Sequence, residues 1–87
     1  MSEQDSDLLL TTSGDVVNPG LYIGNASTLY KVSSIDGDLV KMIVCMEKGQ
    51  LLNRTTVRTY HKRIVHGMPT GSKRAIAKYE EMASRGN

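Results

Sequence analysis

Between Lys48 and Lys78 the chain carries eight cations, Lys48, Arg54, Arg58, Lys62, Arg63, Lys73, Arg74 and Lys78, together with both histidines and no carboxylate. A strand through residues 54–61 puts Arg58, Tyr60 and Lys62 on one side and Val57, Thr59 and His61 on the other. Cations spaced around a tyrosine make a surface that can track phosphates and stack bases. The same charges can also serve as a solvated edge that resists aggregation, or as a patch that meets an acidic protein surface. At Gly71-Ser72-Lys73-Arg74 two more cations, a hydroxyl and free backbone N–H groups gather at the expected start of a helix. Bases in a first turn and Glu80 and Glu81 further on oppose the helix dipole, so helix stability alone does not choose this order.

Other reactive groups form no catalytic or metal-binding set. His61 and His66 stand five apart with two cations between them, a poor spacing for two ligands on one strand face. No cofactor and no metal are expected. Cys45 lies within Leu39–Met46, an apolar run in which a thiol stays protonated, and no Gly-rich elbow accompanies it. The stretch Gly67–Lys73 has one residue too few between its glycines for a phosphate-binding P-loop, and its Lys does not follow the second Gly.

The elements that must position these groups are short. Asp36-Gly37 supplies the positive-φ positions of a two-residue hairpin turn, which sets Tyr30 opposite Ile43, Val32 opposite Lys41 and Leu29 opposite Val44. The second strand is then apolar on both sides, which suits a bent sheet, a small barrel, or a sheet with a helix over one face. Residues 54–61 form a further strand pairing with 39–46. Leu21-Tyr22-Ile23 and Arg63-Ile64-Val65-His66 complete five.

From Ser72 the period changes: Ala75, Ile76, Tyr79, Met82 and Ala83 share one side of a helix that ends near Ser84, with Ser72 or Thr70 as its cap. Residues 1–19 mix acids, Ser, Thr, Gly14 and Pro19 around Leu8-Leu9-Leu10, and read as a largely disordered acidic leader. The leucine run could dock on the body or on a partner.

Five short antiparallel strands over 20–67 resemble the SH3-like barrels, the architecture shared by Tudor and KOW modules. The resemblance is one of strand count and spacing, and it implies no site residue.

Length and charge bound the function. At 87 residues the chain makes a single domain, too small for an elaborate enzyme. Its net charge of +2 joins an acidic first half, with seven acids against Lys31 and Lys41 through residue 47, to the basic stretch that follows. One cysteine, an acidic start and an apolar run far below the roughly 20 residues of a membrane span suggest a cytoplasmic protein.

The expectation is therefore a mainly β fold with one C-terminal helix: a leader over 1–19, a bent antiparallel sheet or SH3-like barrel over 20–67 and a helix over 68–87 packing on it. The expected function is a non-catalytic binding module. Nucleic acid backbone is the leading ligand, through Arg54, Arg58, Tyr60, Lys62, Arg63, Lys73 and Arg74. The rival is a protein-interaction module, an adaptor or inhibitor of a larger enzyme, using the basic patch on an acidic surface or an apolar strand edge. A homodimer is a further possibility, since a short chain with few aromatics gains by burying an edge against a copy of itself.

Overall fold

The computed structural model describes residues 8–52 and 54–85. It is mainly β: five antiparallel strands, β1 (Tyr22–Gly24), β2 (Leu29–Asp36), β3 (Leu39–Glu47), β4 (Gln50–Leu51) and β5 (Val57–His61), then a single helical turn α1 (Lys62–Val65) and the helix α2 (Lys73–Arg85). Strands β1, β2 and β3 lie side by side, and the far side of β3 is shared by β5 along Leu39–Ile43 and β4 along Met46–Glu47. Val44 N–H donates to Thr56 C=O at 2.8 Å, which carries the ladder on past the end of β5.

The sheet is open, so the barrel alternative is corrected. The outer edge of β1 is not closed by β5. It is bridged by the segment around Thr70, where Gly24 N–H donates to Pro69 C=O and Gly71 N–H to Tyr22 C=O. A glycine is needed there, because a Cβ on Gly71 would stand 2.9 Å from the Cβ of Tyr22 and 3.0 Å from Leu29 Cδ1. Nothing among the described residues closes the outer edge of β5.

The hairpin stands where the sequence places it, with a different register. Asp36 pairs Leu39, so the loop is Gly37-Asp38, and only Gly37 has positive φ, at 59°. One positive φ at the first central residue marks a type II′ turn, in place of the two positive-φ positions expected at Asp36-Gly37. The type I′ pattern occurs one hairpin later, at Lys48 (φ 55°) and Gly49 (φ 77°), between β3 and the unanticipated β4.

Two irregularities in the β2–β3 ladder then decide which side chains are inside. Between Val32 and Ser34 the register slips by one, giving Tyr30↔Val44 and Val32↔Met42; a second slip gives Leu29↔Met46 and leaves Cys45 unpaired as a bulge. Before the bulge, Val40, Met42 and Val44 face a core with Val17, Ile23, Tyr30, Val32 and Val65. After it, Cys45 and Met46 turn to a second cluster with Leu29 and Ala75, against which Tyr22, Tyr79 and Met82 pack. The expectation of a strand apolar on both sides is thus met piecewise, with each face covered over a different length. Leu39, on the uncovered part of the helix-side face, remains 48% exposed.

Helix α2 begins as expected. Ser72 Oγ accepts from Ala75 N–H at 3.1 Å and Ser72 C=O from Ile76 N–H at 3.0 Å, which satisfies part of the open first turn. The stripe lies on the second cluster through Ala75, Tyr79 and Met82.

Two expectations are corrected by local hydrogen bonding. The segment Arg63–His66 is not a strand. His61 Nδ1 accepts from Arg63 N–H at 3.0 Å and caps α1, whose single turn drives Val65 into the core and leaves Ile64 outside. Of the leader expected over 1–19, residues 1–7 lie outside the described residues, and 8–19 are folded. Thr11 N–H donates to Asp15 C=O and Val17 N–H to Leu9 C=O, closing a small hairpin bridged at Leu10 and Val16. The Thr11 hydroxyl donates to Thr70 Oγ1 at 2.6 Å, and Thr70 Oγ1 donates to Asp15 at 2.7 Å. Val17 is fully inside the first core, with Leu9 against it. Polar residues and a glycine that read as disorder here encode a tight, docked turn.

Candidate functional site

The strand part of the basic stretch is built on β5. Arg58 faces Met42 and Tyr60 faces Val40 across the β3–β5 ladder, so both lie on the side of the first core, as the alternation implies. Tyr60 is half-buried there. Its ring meets that of Tyr30 edge-on at 5.8 Å, and the two hydroxyls stand 3.2 Å apart. Burial, reinforced by Tyr60, holds the Tyr30 hydroxyl above its ordinary pKa.

Arg58 reaches Glu47 at 3.2 Å, and the hydroxyl of Tyr60 and the Glu47 carboxylate both hold its guanidinium in the charged form. The pairing follows from the bulge, which returns Glu47 to the side of Arg58. Lys62 is not on the strand. It opens α1, donates its backbone N–H to Asp38 C=O at 2.8 Å and places its ammonium 3.4 Å from the Asp38 carboxylate.

Arg54, Arg63, Lys73 and Arg74 are exposed, and none has an ion pair among the described residues. Arg54 follows β4, Arg63 lies on α1, and Lys73 and Arg74 form the first turn of α2. The site expected from sequence is therefore divided. Arg58, Tyr60 and Lys62 are gathered at β5 with internal partners, while the helix pair belongs to another element. At the helix start, Gly71 N–H is taken by Tyr22 and Ser72 Oγ by Ala75.

Cys45 is buried, which raises its thiol pKa against the lowering influence of Tyr79 and Lys31 nearby. Lys31 lies over the Tyr22 ring at 5.4 Å, and Tyr22 meets Tyr79 at 6.1 Å. His66 Nδ1 donates to Leu10 C=O at 2.9 Å, so this ring ties the N-terminal hairpin to α1. Among the described residues no three His, Cys, Asp or Glu side chains gather as metal ligands, and no helix is long and apolar enough to cross a membrane.

What sequence reasoning missed is the backbone of β5. Lys62 N–H bonds Asp38 and Val44 N–H bonds Thr56, so strict alternation turns the N–H and C=O groups of Arg58 and Tyr60 toward β3 and those of Val57 and Thr59, with the N–H of His61, outward. Val57 is 52% exposed and shares its face with exposed Leu39 and half-buried Ile43. The alternation in sequence separated Val57, Thr59 and His61 as a set, but did not show that their edge is open.

Comparison with protein-family models, with curated proteins and with solved structures finds no match to the chain.

Proposed function

We propose that the protein is a non-catalytic interaction module that takes up an extended polypeptide segment as an additional strand along β5. One observation carries this reading. The outer edge of β5 turns the N–H and C=O groups of Val57 and Thr59 and the N–H of His61 outward, the His61 C=O being directed to the first turn of α1, beside exposed Leu39 and Val57 and half-buried Ile43. Strand addition draws affinity from such main-chain groups and specificity from the alternate side chains.

A second reading keeps nucleic acid as ligand. It is favoured by Arg54, Arg63, Lys73 and Arg74, exposed and without ion pairs among the described residues. The same cations could instead meet an acidic protein surface beside the edge. The internal partners of Arg58 and Lys62 weaken the strand face as a phosphate track, because a phosphate must displace Glu47 and Asp38.

The two readings separate in one experiment. The chain and its Thr59→Pro variant are used as bait in lysate of the native host, with and without nuclease. At this position proline removes an outward N–H and no bond to β3, and a cooperative thermal melt checks that the variant folds with its φ fixed by the ring. The strand-addition reading expects a defined protein that survives nuclease and is lost with Thr59→Pro. Recovery of the same proteins by both baits overturns it. Binding of labelled oligonucleotides that falls by about 0.7 to 0.9 log units per log unit of salt for each phosphate contact supports the second reading.

A further inference from the structure

We infer that the segment added to β5 is β5 of a second copy of this chain, paired antiparallel about a two-fold axis through Thr59. This rests on the strand-addition reading and names its partner. The outward groups belong to Val57, Thr59 and His61, so an antiparallel partner strand must pair odd residues with odd. Three two-fold registers keep most of the strand paired, centred on Arg58, on Thr59 or on Tyr60.

Side-chain chemistry selects among them. Centring on Arg58 sets that guanidinium opposite its own copy, and like charges directly opposite are destabilising; centring on Tyr60 needs the chain from Lys62 on to lie extended opposite Arg58, where α1 already begins. Centring on Thr59 places Arg58 opposite Tyr60 of the second copy, and Tyr60 opposite Arg58, in the closely spaced pairs of the ladder. A guanidinium against a phenol ring is favourable, and the surface is complementary to itself in both directions, as a two-fold interface requires. Within its own chain each Arg58 keeps Glu47 at 3.2 Å. On the opposite face Thr59 meets Thr59, and Val57 meets His61 of the second copy. The strip of Leu39, Ile43 and Val57 then continues across the axis.

The test combines mass with register. Sedimentation of the full chain is expected to show a mass rising with concentration from one chain toward two, with the midpoint moved about tenfold or more upward by Thr59→Pro. In the proposed pairing the two Thr59 Cα atoms are about 5.5 Å apart, within disulfide reach, whereas the two Val57 Cα atoms are about 14 Å apart, four residues along the strand. Mild oxidation of Thr59→Cys is therefore expected to give a covalent dimer, and Val57→Cys none; native Cys45 is buried. A chain that stays monomeric into the millimolar range with no Thr59→Cys cross-link overturns the inference. Cross-linking of Val57→Cys in preference to Thr59→Cys overturns it as well. If the chain is monomeric while Thr59→Pro still loses a nuclease-resistant partner from lysate, the inference falls and the strand-addition reading stands.

Discussion

Three groups with raised proton affinity, the hydroxyls of Tyr30 and Tyr79 and the thiol of Cys45, sit against the two cores, and burial is the largest cause in each case. In the unfolded chain they release their protons at their ordinary values, lower than in the folded protein. Below that range both states are protonated and the groups do not influence folding. Above it the unfolded state binds fewer protons, and stability is lost as pH rises. Thermal melts are expected to hold steady between about pH 7 and 8.5 and to fall between about pH 9 and 11, with a late fraction of the tyrosines in an ultraviolet titration. A melting temperature unchanged through pH 11 contradicts the packing described for these side chains. At this scale the sequence was partly legible. Cys45 in an apolar run is inert by its surroundings, and Ser72 caps α2, because each depends on near neighbours in the chain. The engagement of Arg58 by Glu47 was not legible, since it needs the bulge at Cys45 to turn Glu47 to the same side.

Strands and helix were legible in kind and location, and their registers were not. The hairpin follows from Gly37, but whether the turn takes type I′ or II′ depends on the φ of one neighbouring residue, and that choice slides the whole partner strand. The bulge then divides β3 between two cores, which gives a sharp expectation for side chains only seven apart. Met46→Ala, in the helix-side cluster, is expected to cost about 2 to 5 kcal/mol. Leu39→Ser, on the uncovered part of the same face, is expected to change stability by no more than about 0.5 kcal/mol. Urea denaturation of the two variants checks both, and similar losses would contradict the piecewise covering of the sheet. The one-turn helix α1 escaped detection because Ile64-Val65 has the β-branched composition of a strand. The N-terminal hairpin escaped because its order comes from Thr70 and Met68, more than fifty residues away.

For the molecule as a whole, the division between an acidic first half and a basic second half is the feature most visible in the sequence. In the fold part of that charge is consumed internally, through Glu47 with Arg58 and Asp38 with Lys62. What remains distinctive is a sheet bridged at its β1 edge by residues 69–71 and, among the described residues, unclosed at β5, a property of long-range topology that no local pattern specifies. If the protein binds through this edge, amide hydrogen exchange at Val57, Thr59 and His61 reports it residue by residue. At low micromolar concentration these three amides are expected to exchange quickly while Arg58 and Tyr60, bonded to β3, stay protected. Near millimolar concentration, with a second copy on the edge, all five are expected to be protected. Protection of Val57, Thr59 and His61 at every concentration would contradict the open edge, and rapid exchange at every concentration would contradict its use by a second copy of the chain.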